Sequence, residues 1–220
     1  LQSMKKGLSK FALQLFGEQA FDLAINAAVP NWFFEGDAVY TETKYLSQGR
    51  GRLPGFYDPF RSLWTANKQY GYQKLRSGSM KDLVPNHYAL GYLLVAYGYG
   101  RQGDGFWARV TDDAARFKGL FYPLQSAIKR QTGLKFNAFV KHAIDSFQSL
   151  MPLVANHPSV QMINKVDTKR VVDHHFPIFL GGDSVLALRK AYNQLPHWVI
   201  FNQGKQSRLG VKNIGVDDYY

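Results

Sequence analysis

The sequence predicts an α+β protein that is mainly helical at first and ends in antiparallel strands. From Leu1 to about Leu153, apolar residues recur at spacings of three and four, which is the period of helices packed on a core. After about Val166 the period shortens, and two short runs are interrupted by "GGD" and "NQGKQ", which are hairpin signals. We therefore expect a helical domain over residues 1–165 and an antiparallel segment over residues 166–220.

The first half of the helical part divides at its prolines and glycines. One helix is expected over "LSKFALQLFGEQAFDLAINAA", ending at Pro30. The next is "WFFEGDAVYTETKYL", with Asn31 as its expected N-cap. The Gly- and Pro-rich "SQGRGRLPGFYDPF" is expected to be a loop, and short helices follow at "FRSLWTAN" and "YQKLR".

The later elements follow the same reasoning. "PNHYALGYLLVAYGYG" predicts a mostly buried helix that begins near Pro85 and closes on glycine. "DGFWARVTDDAARF", "YPLQSAIKRQTG" and "KFNAFVKHAIDSFQSLM" continue the helical pattern, the last stopping before Pro152. The two hairpins then give about four strands, and "IGVDDYY" is expected to start another. The chain does not begin with Met and ends abruptly on "VDDYY", so we expect it to be truncated at both ends. The unprotected edges of such a sheet support this expectation.

The composition restricts the function classes. The formal net charge is +11, but the Lys and Arg residues are scattered and form no block of five or six, so a solvated basic surface is favoured over a nucleic-acid site. No apolar run approaches the length of a membrane span, and no signal peptide is visible. The absence of cysteine excludes disulfides, thiolate metal sites and cysteine nucleophiles.

Common catalytic motifs are missing from these 220 residues. None of the six histidines are four residues apart, so no helix presents a pair of imidazoles to zinc. No glycine-rich stretch has the strand-then-helix context of a phosphate-binding loop, and there is no G-x-S-x-G elbow. By these criteria the sequence contains no complete active site.

Glu35 is the carboxylate that needs an explanation. It follows three bulky aromatic residues in "NWFFEGDAVYTE", and Gly36 beside it lets another element approach closely. Glu42, seven residues on, lies on nearly the same helix face. A buried carboxylate must be paired, neutral or bound to a metal. The alternative is an exposed glutamate on an amphipathic helix.

This stretch resembles the third-ligand helix of the gluzincin zinc metallopeptidases. In that clan one helix carries H-E-x-x-H, and a later helix carries a glutamate within W-[aromatic or Leu]-x-E-G-x-A-x-Y. The residues in that register are Trp32, Glu35, Gly36, Ala38 and Tyr40. Downstream, "HYALGYLLV" is similar to the Y-x-x-G stretch of the clan, and Tyr88 and Gly91 match it.

The resemblance extends over essentially the whole chain. "GRGRLPGFYDPFRSLW" and "DAARFKGLFYPLQSAIKRQTG" resemble a bacterial subgroup in which a gluzincin catalytic domain precedes a TolB-like β-propeller. The resemblance implies a helical gluzincin C-terminal subdomain followed by the first blade of a propeller. It also implies a peptide or protein substrate and an exported or periplasmic location, and it gives no expectation for the oligomeric state.

The resemblance assigns roles to particular side chains. Glu35 would be a zinc ligand, and Tyr88 would donate a hydrogen bond to the reacting oxyanion. Tyr92, one helical turn on, is the rival to Tyr88, and His87 is a weaker candidate. For either tyrosine the alternative is a core aromatic residue whose hydroxyl finds some partner.

Three polar residues near Glu35 each have two possible interpretations. Glu42 either hydrogen-bonds a zinc-bound imidazole or faces solvent. Arg50 and Arg52 either line a cleft that favours carboxylate groups or belong to a solvent-facing loop.

The H-E-x-x-H motif is absent, and we expect it at or just before Leu1. The parent protein would then be a zinc peptidase, whereas this chain alone is expected to be inactive and to bind no zinc. The alternative function is a non-catalytic binding module built from a helical domain and a propeller. A basic nucleic-acid binder is a third option, which the charge allows but no recognition motif supports.

Overall fold

The computed structural model describes residues 7–118, 121–151, 163, 167 and 169–212. It confirms the α+β class, with helices followed by one antiparallel sheet. The chain forms two compact units. Unit 1 consists of Leu1–Gly78 and Val84–Leu153, and unit 2 of Ser79–Leu83 and Val154–Tyr220. The predicted boundary at residue 165 lies outside the described residues, so the division into 1–165 and 166–220 stays a prediction.

The helices and strands follow the predicted order. The helices of the described residues are α1 (Gly7–Phe16), α2 (Glu18–Ala28), α3 (Asn31–Tyr45), α4 (Asp58–Thr65), α5 (Tyr72–Ser77), α6 (His87–Gln102), α7 (Phe106–Ala115), α8 (Pro123–Thr132) and α9 (Phe136–Leu150). The strands are β1 (Val172–Gly181), β2 (Ser184–Ala191), β3 (Gln194–Asn202) and β4 (Lys205–Lys212). No helix in this described part is both long and apolar enough to cross a bilayer. The further strand predicted at "IGVDDYY" lies outside the described residues, so that prediction is not tested.

Two local predictions are wrong in detail, and a third is refined. The first predicted helix is broken at Gly17, whose φ of 81° lies in the left-handed region that interrupts a right-handed helix. Asn31 is the first residue of α3 rather than its N-cap, because extended Pro30 occupies the cap position. The predicted loop contains two short 3-10 turns, Arg50–Arg52 and Pro54–Tyr57.

Helix α6 is the centre of unit 1, as its nearly continuous apolar sequence predicts. Asn86 caps it, with the side-chain oxygen accepting a hydrogen bond from the Ala89 N–H at 2.9 Å, and Gly103 ends it at a φ of 83°. Every residue from Ala89 to Val95 is buried. A helix buried on all sides must be covered by several neighbours, and α3 packs across it at the site described below.

Aromatic side chains fill the core beside α6. The rings of Trp32 and Trp107 lie edge to face with centroids 6.3 Å apart. Each indole N–H has a buried acceptor, namely the Tyr72 hydroxyl at 2.8 Å for Trp32 and the Val95 carbonyl at 2.9 Å for Trp107. These bonds satisfy polar groups that would otherwise be costly to bury.

Tyr72→Phe is expected to lower the free energy of unfolding by about 1–3 kcal/mol, because it leaves the buried Trp32 N–H without its acceptor. Tyr45→Phe is the matched control, since that side chain is exposed and should change stability by less than about 0.5 kcal/mol. Urea denaturation of the two variants checks this. Equal stabilities would show that the Trp32–Tyr72 bond contributes nothing.

The strands of unit 2 form a four-stranded antiparallel meander in the order β1-β2-β3-β4, which confirms the predicted hairpins. Asp183 and Gly204 have positive φ angles of 63° and 74° in the two predicted turns. Val199 and Phe201 alternate inward and pack with Ala187 in a small apolar cluster. A four-stranded meander is also the arrangement of a propeller blade, and the propeller assignment itself stays a prediction.

Candidate active site at the crossing of α3 and α6

Two glycines let α3 and α6 touch backbone to backbone. A Cβ on Gly91 would overlap the Trp32 carbonyl oxygen and lie 3.1 Å from the Gly36 Cα. A Cβ on Gly36 would lie 2.7 Å from the Gly91 Cα, so the contact is reciprocal. The close approach predicted from Gly36 is therefore confirmed. Because Glu35 is adjacent to Gly36 and Tyr88 lies one turn before Gly91, this crossing brings the two candidate residues towards one region.

A single arginine connects the polar groups of this region. Arg50 binds Glu42 with both its backbone and its guanidinium: the backbone N–H and Nε donate to Oε1 at 3.0 and 2.6 Å. Nη2 donates to Oε2 at 3.2 Å, which makes the pair bidentate. Both oxygens of Glu42 are thus engaged by Arg50.

The same guanidinium also contacts Tyr88 and feels the charge of Glu35, the two predicted site residues. Its carbon is 5.3 Å from the centre of the Tyr88 ring, within the range of a cation–π interaction. The pKa of Arg50 is raised, mainly by its hydrogen bond to Glu42 and further by the charges of Glu42, Tyr88 and Glu35. Glu35 and Tyr88, which are half-buried, therefore share the electrostatic environment of one cation.

The loop that carries Arg50 is fastened to both helices. The Gly51 N–H donates to Thr43 Oγ1 at 3.0 Å, and a Cβ on Gly51 would meet the Tyr92 ring at 2.7 Å. The Tyr57 hydroxyl donates to the Gly51 carbonyl at 2.6 Å. Burial, together with a hydrogen bond to Tyr92, raises the pKa of Tyr57. The loop residues are thus held by specific contacts with α3 and α6.

These contacts also concern Tyr92 and His87, the other candidates for the oxyanion donor. The hydroxyl of Tyr92 is hydrogen-bonded to that of Tyr57 beneath the loop, and the Tyr92 side chain is buried. Its arrangement is that of a core tyrosine whose hydroxyl has found a partner. His87 is exposed at the start of α6, where its ring contacts that of Tyr88 with centroids 4.3 Å apart. The predicted catalytic role of Tyr88 remains a prediction.

Arg52 has a role that the sequence interpretation did not include. Its guanidinium donates to the carbonyls of Thr43, Leu46 and Ser47 at 2.6, 2.8 and 3.1 Å. It therefore caps the C-terminal end of α3, where carbonyls lack intrahelical partners and a positive charge is favoured. In this arrangement the Arg50 guanidinium is an ion-pair bridge and that of Arg52 a helix cap. Arg52 is exposed, as the solvent-facing alternative has it, and the choice between the two alternatives stays a prediction.

Another aromatic residue of the motif packs away from Arg50. Tyr40 stacks on Tyr99 of α6 with ring centres 4.4 Å apart, and the Tyr99 hydroxyl donates to Asp37 at 3.1 Å. Burial raises the pKa of Asp37, while the bond from Tyr99 partly opposes that shift. Tyr40 thus contributes to the α3–α6 contact on which the position of Glu35 depends.

The residues fit a zinc site only in part. Glu35 is a half-buried carboxylate of the kind that zinc accepts. Among residues 7–118, 121–151, 163, 167 and 169–212, however, no group of three His, Cys, Asp or Glu side chains is placed to hold a metal. The nearby Arg50 is bound to Glu42, so Glu42 does not add a free carboxylate. These residues alone do not form a zinc centre, and the proposed role of Glu42 behind a zinc-bound imidazole stays a prediction.

The Arg50–Glu42 pair predicts a pH dependence. Hydrogen bonding to Arg50 lowers the pKa of Glu42, although slight burial opposes the shift. A depressed carboxyl pKa contributes stability above the unfolded value, and this contribution is lost as the pH falls through the folded value. Arg50→Gln should therefore raise the pKa of Glu42 part of the way to the ordinary glutamate range, because the backbone N–H of residue 50 still donates to it. The acid-sensitive part of the stability should fall accordingly. The side chains of Glu42 and Arg50 are 26% and 42% exposed, so solvent screening keeps this part below about 1 kcal/mol.

An NMR titration of the glutamate carboxyl carbons measures this shift directly. Lys44→Gln is the control, because Lys44 is on the same helix but pairs with Asp104 at 3.2 Å. The Glu42 titration should be unchanged in that variant. An unchanged Glu42 titration in Arg50→Gln would contradict the ion pair.

Comparison of the chain with protein-family models, with curated proteins and with solved structures gives no match. The resemblance to gluzincins therefore depends on the motif residues quoted above.

Proposed function

We propose that this chain is part of a zinc-dependent peptidase, with Glu35 as one zinc ligand and Tyr88 as a hydrogen-bond donor to the reacting oxygen. The observation that supports it best is that Tyr88 packs against the guanidinium of Arg50, whose raised pKa also reflects the charge of Glu35 on the facing helix. The glycine contact between α3 and α6 fixes the two helices against each other. A catalytic pair needs fixed positions of this kind.

Each residue would contribute a different part of the chemistry. Bound zinc would supply Lewis acidity and an activated water. The Tyr88 hydroxyl would donate to the negative oxygen that develops on the peptide carbonyl, an electrostatic contribution of about 3 kcal/mol in comparable donors. Arg50, over the Tyr88 ring, would favour negative charge near that hydroxyl and hold Glu42 in place. The proposal requires two further ligands and a general base that these described residues do not supply.

The nucleotide sequence encoding the residues immediately before Leu1 tests this requirement. The proposal predicts His-Glu-x-x-His within about ten residues of that position, since the motif would occupy the preceding helix. A coding sequence without the motif, or with its histidines replaced, would rule out the peptidase.

A non-catalytic binding module is the second candidate. It is compatible with the helical unit and the four-stranded meander, because folds of this kind can bind a partner without performing chemistry. Replaced zinc ligands together with an intact Gly36–Gly91 crossing would favour this candidate over the peptidase.

A further inference from the structure

Unit 1 contains a cavity of about 560 Å³, which is within the size range of small-ligand sites. Its buried wall is apolar and aromatic, formed by Trp32, Tyr72, Leu124 and Phe136. Exposed side chains, among them Arg76, His87 and Phe121, surround its mouth. Glu35, Glu42 and Arg50 do not line it, so it is distinct from the site at the α3–α6 crossing.

The electrostatics of this cavity favour an anion. The first residues of α3, α6, α8 and α9 all line it, so four helix N-termini, each with a positive dipole end, converge there. Helices α3, α8 and α9 begin without a side-chain cap, which leaves N–H groups of their first turns without that partner. The last turn of α2 contributes one opposing negative end, from Asn26 to Ala28.

Side chains of the wall and the mouth also favour a bound anion. Arg76 is the cation at the mouth, one turn after Tyr72 on α5, and no Asp or Glu is among the described residues that line the cavity. The Tyr72 hydroxyl accepts the Trp32 N–H, and no hydrogen bond among the described residues uses its own proton. Tyr72 is only 6% exposed, and burial raises its pKa, so it remains a hydrogen-bond donor at neutral pH. A buried donor and a cation thus stand beside an aromatic wall.

We propose that this cavity binds the C-terminal carboxylate of a peptide whose last residue has a large apolar side chain. The guanidinium of Arg76 and the hydroxyl of Tyr72 would bind the carboxylate. The aromatic wall would bury the apolar side chain. The amide side chains of Asn31 and Gln125 offer both donors and acceptors to the peptide backbone. A single arginine suits a singly charged planar carboxylate better than a doubly charged phosphate, which is usually met by several cations.

Isothermal titration calorimetry with the 220-residue chain tests this proposal without requiring hydrolysis. The probes are acetyl-Ala-Ala-Ala-Phe as the free acid, the same peptide as its amide, and the glycine-ended acid. We expect the phenylalanine acid to bind about tenfold or more tightly than either analogue. Equal binding of acid and amide, or no binding of the acid, would overturn the proposal. Inorganic phosphate that binds at least as tightly as the peptide acid would overturn the peptide assignment as well.

Two charge variants on α5 localise the binding. Arg76→Gln should remove most of the preference for acid over amide, and because Arg76 is exposed the variant should keep the stability of the wild type. Lys74→Gln removes the same charge from the same helix, but Lys74 does not line this cavity, so the preference should remain. Equal losses in the two variants would indicate a general charge effect and would contradict the assignment to this cavity. Failure here leaves the zinc proposal unaffected, because that proposal concerns Glu35 and Tyr88.

Discussion

Replacing Gly91 by alanine is expected to lower the free energy of unfolding by about 3 kcal/mol or more. The added methyl group would overlap the Trp32 carbonyl oxygen, which is backbone and cannot rotate away. Helices α3 and α6 would have to separate, and the buried residues between them would lose contacts. For a chain of this size the midpoint of thermal unfolding should fall by about 6–12 °C. Thermal unfolding followed by circular dichroism measures the change.

Gly100 supplies the matched control on the same helix. It is exposed, and a Cβ there would meet nothing within 4 Å. Gly100→Ala should therefore be neutral or stabilising by up to about 1 kcal/mol, because alanine favours the helix. If Gly91→Ala were as stable as Gly100→Ala, the two helices would not touch at Gly36 and Gly91 as described here.

The largest expected effect on activity is that of Glu35. In the protein produced from its complete reading frame, Glu35→Gln should reduce kcat/KM for peptide hydrolysis by about a thousandfold or more, since a neutral amide is a poor substitute for a carboxylate zinc ligand. Tyr88→Phe should reduce kcat by about a hundredfold, the effect of losing one oxyanion donor. Tyr92→Phe should change kcat little, because that hydroxyl is bound to Tyr57 beneath the loop. Steady-state kinetics on one peptide substrate compares the three variants.

Other kinetic results would change the roles assigned to Tyr88, Tyr92 and Glu35. Loss of kcat in Tyr92→Phe with little change in Tyr88→Phe would transfer the donor role to Tyr92. Wild-type kinetics in Glu35→Gln would remove Glu35 from the chemistry altogether.

Much of the fold was predictable from local signals. The start of α6 near Pro85 and the two hairpin turns are properties of short stretches, and each is confirmed. Helix α6 continues to Gln102 and ends at Gly103, just beyond the stretch in which its end was predicted. The break at Gly17 was missed because the apolar spacing continues through it, and period alone does not reveal one residue in the left-handed region. The position of Asn31 was wrong because Pro30 took the cap instead.

In the candidate site, only features that depend on residues close together in the sequence could be predicted. Contacts between distant parts of the chain could not. Gly36 indicates a close approach, but nothing in its surroundings names Gly91 as the partner. The role of Arg50 was missed because "GRGR" has the composition of a surface loop, and its contact with Tyr88 joins distant parts of the chain. Arg52 caps α3 from beyond the helix end, where caps by long side chains leave no fixed sequence signal.

Zinc content tests the central claim, that Glu35 is a metal ligand, most directly. It can be measured by mass spectrometry of the metal in the protein purified from its complete reading frame. Glu18→Gln is the control, because Glu18 is an exposed glutamate in the first turn of α2. If Glu35 is a ligand, the wild type and Glu18→Gln should each hold about one zinc ion per chain, and Glu35→Gln far less. Equal zinc content in Glu35→Gln and Glu18→Gln, or no zinc in any of the three proteins, would contradict this claim.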